Sequence, residues 1–131
     1  MAGRDHRLVA GGYKAIDSLR LEKGYRYWSA DISPDYHPWE AGLGFCVALD
    51  KGDFIGREAL LRLRDQGAPT TWVGLKLTGN TPAPDMTPVL AGGRQIGHVT
   101  YSDHGHSLGV VLASAHIERK FAFENQVVTV L

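Results

Sequence analysis

Residues 18–28 read Ser-Leu-Arg-Leu-Glu-Lys-Gly-Tyr-Arg-Tyr-Trp, and the rest of the chain is organised around this stretch. Four residues in and before it recur at helical spacing on one side: Tyr13, Ala15, Ile16 and Leu19. This spacing predicts a helix over residues 13–23. Gly24 stands where a helix commonly ends in a left-handed residue. The aromatic residues at 25–28 that follow predict a short strand.

Composition limits the classes of protein that need to be considered. The chain has 131 residues, 14 basic and 14 acidic side chains and a formal net charge of +0, which gives no electrostatic footprint for nucleic acid. No apolar run approaches the roughly 20 residues of a membrane span. Cys46 is the single cysteine, so the chain forms no disulfide within itself, and a reducing, cytoplasmic compartment is expected. Its apolar neighbours predict a buried, inert thiol.

The remaining pattern is mainly β with two helices. Residues 44–49 predict a buried strand, and Asp53 is a candidate N-cap for a second helix over 56–66. Ala59, Leu60 and Leu63 are expected to face inward from that helix, with Glu58 and Arg62 as an outer ion pair. From residue 70 onward, short strands, turn residues at 91–94 and 103–106, and a last strand at 126–131 predict a small antiparallel barrel, since closure removes exposed edges.

Several polar and aromatic residues are candidates for binding. Arg20 and Glu22 are interpreted either as a structural pair that fixes the helix to the barrel or as a polar wall of a ligand pocket. In the second case Tyr27 and Trp28, with Tyr25, supply stacking surfaces for a flat heterocycle. Glu40 has the same two interpretations, because a carboxylate can bind an amino-pyrimidine face or cap backbone amides.

Other chemistry is weakly indicated. His98, His104 and His106 suggest a metal site, but solvated turn histidines explain them more simply, and no metal is expected. Gly42-Leu43-Gly44 leads into a predicted strand and therefore does not indicate a dinucleotide site. No residue is predicted to be catalytic.

Three blocks carry a resemblance to a known family. They are residues 18–24, residues 38–45 (Pro-Trp-Glu-Ala-Gly-Leu-Gly-Phe) and residues 50–60 (Asp-Lys-Gly-Asp-Phe-Ile-Gly-Arg-Glu-Ala-Leu). With Pro88-Val89 and residues 96–100, they resemble the C-terminal region of the glycine-cleavage T-protein (aminomethyltransferase) family. The resemblance is strongest to the branch fused to dimethylglycine and sarcosine dehydrogenases, since Ile16 stands where the T-proteins proper carry arginine.

The resemblance implies tetrahydrofolate as cofactor, one-carbon transfer in glycine cleavage or methylglycine demethylation, and a closed six-stranded Greek-key barrel. It also implies that residues 1–50 are the end of a folate-binding-type domain and residues 51–131 a helix and the C-terminal barrel. Folate-binding residues would be Arg20, Glu22, Tyr27, Trp28 and Glu40. The family's reactive aspartate lies in a region that these residues do not match, and no flavin fingerprint is present. The chain is therefore expected to work with an N-terminal folate-domain partner or as an oligomer. The alternative is a non-catalytic interaction or scaffold barrel.

Overall fold

A computed structural model describes residues 4–131, and the fold is mainly β with two helices. The folate-binding-type domain is predicted over residues 1–50, and its first three residues lie outside the described residues. The elements are the helices α1 (Tyr13–Lys23) and α2 (Arg57–Gln66) and the strands β1 (Thr70–Leu77), β2 (Pro88–Ala91), β3 (Arg94–Gly105), β4 (Val110–Glu118) and β5 (Thr129–Val130). Short 3-10 turns occur at Arg4–His6, Gly44–Cys46 and Arg119–Phe121.

The strands form one antiparallel sheet in the order β1-β4-β3-β2-β5. The predicted hairpin between β2 and β3 is present, and Gly92 and Gly93 turn the chain with φ of 55° and 79°. Positive φ at both positions is characteristic of the two-residue turns that match strand twist. In contrast, the turn predicted at 103–106 begins later, because β3 continues to Gly105.

The predicted closed six-stranded barrel is not confirmed. Within residues 4–131 the sheet has five strands, and no ladder joins its outer strands β1 and β5. The last strand, predicted over 126–131, reduces to the two residues of β5, which pair with β2. An open cleft of about 1190 Å³ lies between β1 and the C-terminal segment.

Two other predicted strands do not form. Residues 25–28 are irregular apart from an isolated bridge between Trp28 and Ile32. In the predicted strand 44–49, backbone bonds from Cys46 to Leu43 and from Val47 to Gly44 close a 3-10 turn. Cys46 is consequently exposed, so the prediction of a buried thiol is wrong.

Helix α1 has the predicted bounds and the predicted end. Gly24 adopts φ of 68°, and the cap N–H groups bond to the carbonyls of Arg20 and Leu21. The apolar side of the helix, however, lies in solvent, and its buried residues are Ser18, Arg20 and Leu21. The sheet offers polar partners to this buried side: the Ser18 hydroxyl donates to the carbonyl of His104 on β3 at 2.6 Å.

Helix α2 is more loosely attached than the pattern predicts. It begins after Gly56, whose φ is 91°, and no side chain caps it, so Asp53 is not its N-cap. None of its residues is buried. The Nε of Arg57 donates to the carbonyl of Leu49 at 2.8 Å and joins the helix to the preceding loop. Glu58 lies 3.5 Å from Arg57, and this contact replaces the predicted pair with Arg62.

The hydrophobic core is built on the central strands of the sheet. Its buried residues come from β2, β3 and β4: Val89, Ile96, Val99, Ala113, Ala115 and Ile117. Half-buried apolar residues of β1 and of the C-terminal segment pack against them. None of the helices in the described part is long and apolar enough to cross a membrane.

Candidate functional site

A buried carboxylate joins the loop after α1 to the sheet. Asp31 is 0% exposed, and its side chain accepts five hydrogen bonds. The donors are Arg20 Nη1 at 2.5 Å, the Tyr27 N–H at 2.9 Å, Trp72 Nε1 at 3.2 Å, Thr100 Oγ1 at 2.5 Å and Ser114 Oγ at 2.6 Å. Burial alone would raise the pKa of Asp31, but these hydrogen bonds outweigh it and hold the pKa below its ordinary value. The group is therefore ionised at neutral pH.

His116 on β4 lies against the same loop. It is 2% exposed, its ring stacks on Tyr36 at 3.6 Å, and its Nε2 lies 2.7 Å from the carbonyl oxygen of Asp31. A carbonyl can only accept, so Nε2 carries the proton of the neutral ring. Nδ1 has no hydrogen-bond partner among the described residues. Burial lowers the pKa of His116, with a further lowering from His98.

Arg20 is buried among contacts with the fold. It is 8% exposed, and besides Asp31 its Nε lies 3.6 Å from Asp17. Its guanidinium lies 4.5 Å from the ring centroid of Tyr101 and 5.1 Å from that of Tyr27. This environment supports the structural interpretation of Arg20 and leaves a ligand role as a prediction.

The two candidate carboxylates, Glu22 and Glu40, are likewise engaged in internal contacts. Glu22 accepts the Ser107 N–H at 2.8 Å, which fixes α1 to the turn between β3 and β4. Glu40 is 8% exposed, and its Oε1 accepts the Thr70 hydroxyl at 2.7 Å. The other oxygen accepts the His37 N–H at 3.2 Å. Arg20 and Glu22 each fix α1 to the rest of the fold, Arg20 through Asp31 and Glu22 through Ser107, as the structural interpretation of this pair expects.

The aromatic candidates, in contrast, lie in solvent. Tyr27 and Trp28 are 44% and 63% exposed, and Tyr13 and Tyr25 are 72% and 65% exposed. We call these four residues the exposed aromatic set. The hydroxyl oxygens of Tyr13 and Tyr27 lie 3.3 Å apart, which brings α1 and the loop together. The set offers ring faces and hydroxyl groups to a ligand or to another protein surface.

A second arginine holds the loop that carries the exposed aromatic set. Arg26 donates to the carbonyls of Gly24 at 2.8 Å and Ala41 at 3.0 Å. Its guanidinium stacks 4.0 Å from the ring centroid of Trp72 on β1. Burial lowers the pKa of Arg26, although Asp31 opposes that effect. The clamp fixes the base of the loop to the sheet edge.

The three histidines of the possible metal site do not meet. The rings of His104 and His106 lie 6.0 Å apart, whereas His98 Nε2 contacts the hydroxyl of Tyr36 at 3.5 Å and faces His116 across the ladder. Among residues 4–131, no group of three or more His, Cys, Asp or Glu side chains is arranged to hold a metal ion.

Sequence reasoning missed the residues around Asp31. Thr100, Ser114 and His116 lie 69, 83 and 85 positions away from it. No local spacing signals such a contact, because it depends on how the sheet places β3 and β4 beside the loop. The one available signal was an aspartate in a loop of turn-forming residues.

Comparison with known proteins matches both halves of the chain to domains of one protein family. Residues 1–51 match a family model described as the GCVT N-terminal domain, and residues 71–131 match the glycine cleavage T-protein C-terminal barrel domain. The aminomethyltransferase of Halothermothrix orenii is 37% identical over 99% of this chain and 36% of that protein. The mitochondrial sarcosine dehydrogenase of Mus musculus is 40% identical over 88% of this chain and 13% of that protein.

Structural comparison agrees. The aminomethyltransferase T of the glycine cleavage system from Bartonella henselae superimposes with a TM-score of 0.88 at 31% identity. The match covers 95% of this chain and 36% of that one, so the chain spans about a third of the length of the aminomethyltransferases it matches. Relatives therefore come from both predicted branches, and the chain belongs to the glycine-cleavage T-protein (aminomethyltransferase) family.

Proposed function

We propose that this chain forms one wall of a tetrahydrofolate site in an aminomethyltransferase-type protein. The reaction would be one-carbon transfer in glycine cleavage or methylglycine demethylation. The observation that carries the proposal is the exposed aromatic set, which lies on α1 and the adjoining loop of a chain that belongs to this family. Flat heterocycles stack readily on such rings.

The described residues fit a folate in part. Tyr27 and Trp28 present exposed rings, and Arg20 lies beneath Tyr27 as a cation that is already neutralised by Asp31. Both carboxylate oxygens of Glu40 accept internal hydrogen bonds. We therefore assign stacking to Tyr27 and Trp28, and bracing of the wall to Arg20, Glu22 and Glu40.

When bound, tetrahydrofolate supplies the nitrogen nucleophiles that take up a one-carbon unit. The residues of this chain would orient the folate and exclude water from one side. Such positioning lowers a barrier because it removes the entropy of bringing two reactants together. We assign no proton transfer to this chain, and the reactive carboxylate would come from another region of the complete protein.

A further part of an aminomethyltransferase would complete the site. Besides the exposed aromatic set, the apolar residues Leu8, Val9, Ile16 and Leu19 are 73%, 85%, 61% and 56% exposed. Apolar surface of this kind marks contact with another protein surface. We infer that an N-terminal folate-domain region covers it, whether in the same polypeptide, a partner chain or an oligomer. The predicted division at residues 50 and 51 stays a prediction, as does a cytoplasmic setting.

Calorimetric titration with 5-formyltetrahydrofolate tests the folate proposal. The chain is titrated alone and mixed with the part of the H. orenii aminomethyltransferase that lies outside the match. Trp28→Ala should weaken binding about tenfold, since one stacked ring contributes on the order of 1–2 kcal/mol. Phe45→Ala is the matched control, because Phe45 is an aromatic residue that is 83% exposed on a different loop. Absence of binding in both samples would contradict the proposal.

The second candidate is a non-catalytic interaction or scaffold barrel. The exposed apolar residues of α1 favour it as much as they favour a folate wall, because both functions need a partner surface. Sedimentation of the mixture separates the two: a stable complex that binds no folate indicates a scaffold. If the chain stays monomeric in the mixture with that aminomethyltransferase region and binds no folate, both proposals are contradicted.

A further inference from the structure

The turn that carries Trp28 is built around Asp31. The N–H groups of Asp31 and Ile32 donate to the carbonyl of Tyr27 at 2.9 and 3.2 Å, and Ser29, with φ of 70°, donates to the carbonyl of Ile32 at 2.8 Å. The Asp31 carboxylate accepts the Tyr27 N–H at 2.9 Å. Asp31 therefore fixes both polar groups of the backbone of Tyr27, one through its side chain and one through its own N–H.

The sheet in turn fixes Asp31, and an irregularity of β3 makes this possible. Val99 pairs with Ala115 and Tyr101 pairs with Ser114, so Thr100 is an extra residue in a β-bulge. A bulge changes the direction in which a side chain points. The hydroxyls of Thr100 and Ser114 lie 3.0 Å apart, and both donate to Oδ1 of Asp31.

We propose that Asp31 is a positioning residue through which Thr100 and Ser114 of the sheet set the placement of Tyr27 and Trp28 for ligand binding. The proposal rests on the folate function proposed above, which it deepens. Asp31 is 0% exposed, so it acts through the turn and does not touch the ligand. A substitution of Thr100 or Ser114, which bond to Asp31 from the sheet, should therefore alter ligand binding at the exposed rings.

Ser114→Ala tests this link, and Ser102→Ala is the matched control. The Ser102 hydroxyl lies in the same sheet, donates to the carbonyl of Leu112 at 2.8 Å and accepts the Ala83 N–H at 3.2 Å, but it does not bond to Asp31. Hydrogen exchange by NMR reports the Tyr27 amide directly. In Ser114→Ala this amide should exchange about tenfold faster than in the wild type. The reason is that the Asp31 carboxylate, which accepts the Tyr27 N–H, loses the hydrogen bond from Ser114 that helps to hold it in place. In Ser102→Ala it should be unchanged.

The second measurement is the affinity for 5-formyltetrahydrofolate in the presence of the H. orenii aminomethyltransferase region described above. Ser114→Ala should weaken binding about fivefold, Ser114→Thr should restore it because the hydroxyl returns, and Ser102→Ala should have no effect. An unchanged Tyr27 amide in Ser114→Ala would overturn the proposal, and so would faster exchange with unchanged affinity. If the wild type binds no folate, the folate function fails, and the exchange comparison alone decides whether the sheet positions the turn.

Discussion

The Nη1 atom of Arg20 lies 2.5 Å from Oδ2 of Asp31, and neither side chain is more than 8% exposed. This buried ion pair joins α1 to the loop that the sheet holds through Thr100 and Ser114. Removing one member leaves a buried charge without compensation, which costs far more than the loss of a surface ion pair. The pair therefore explains why Arg20, a charged residue of α1, faces the protein interior.

Arg20→Ala should lower the free energy of unfolding by about 3–5 kcal/mol, because Asp31 would keep its charge without its cation. Chemical denaturation followed by circular dichroism measures this. Arg64→Ala is the control: Arg64 pairs with Asp65 at 3.0 Å on the surface, and its removal should cost less than about 0.5 kcal/mol. Unchanged stability of Arg20→Ala combined with lost folate affinity would show that Arg20 binds the ligand directly.

The stability of the protein should fall as the pH drops below the ordinary histidine value of 6.5. Burial lowers the pKa of His116 in the folded state, so the unfolded chain binds more protons between that lowered pKa and 6.5. The stabilising contribution is complete above 6.5 and is lost as the pH falls through this window. The groups that face the ring are His98, Tyr36, Glu40 and Asp31.

Thermal unfolding between pH 5 and 8 measures this dependence. His116→Gln should remove part of the slope. An equal slope in the wild type and in His116→Gln would show that His116 is not the titrating group.

Gly97→Ala should prevent correct pairing of β3 with β4. A Cβ at this position would overlap the carbonyl oxygen of His116 and would lie 2.7 Å from the Cα of Ile117, and both are backbone atoms. We expect a loss of several kcal/mol or failure to fold, as for other severe steric overlaps in a core. Gly74→Ala in β1 is the control, because nothing lies within 4 Å of its added Cβ. Equal expression and melting temperature for both variants would contradict the pairing of these strands.

Glu40→Ala should destabilise the protein by about 1–3 kcal/mol, because the Thr70 hydroxyl and the His37 N–H would lose their acceptor. Glu58→Ala should have almost no effect, since the Glu58 side chain is 78% exposed. Denaturant midpoints of the two variants give the comparison. If Glu40→Ala were as stable as Glu58→Ala, the bracing role proposed for Glu40 would be contradicted.

The sequence predicted those parts of the fold that local chemistry determines. The bounds of α1, its glycine end and the Gly92-Gly93 hairpin follow from spacing and backbone preferences, and all three are present. Which side of α1 is buried was not predictable in this way. A polar residue such as Ser18 or Arg20 becomes buried only because the sheet offers the His104 carbonyl and the Asp31 loop offers its carboxylate.

The same reasoning explains why the prediction at Cys46 is wrong. An apolar run such as 44–49 predicts a buried strand only if a neighbouring strand is present to pair with it, and the chain turns there instead. For the site, the sequence identified Tyr27 and Trp28 as candidates for stacking, and the structure places both rings in solvent. The Asp31 contacts could not be found, because they join residues that are far apart in the chain and have no repeating pattern.

We propose that the exposed aromatic set and its turn form one wall of a folate site that another aminomethyltransferase region completes. The most direct measurement is the stoichiometry and affinity of 5-formyltetrahydrofolate for an equimolar mixture of this chain and that region. We predict one bound folate per pair, with affinity reduced by Trp28→Ala and preserved in Phe45→Ala. Folate binding that is identical with and without this chain, or equally reduced by both substitutions, would contradict the claim.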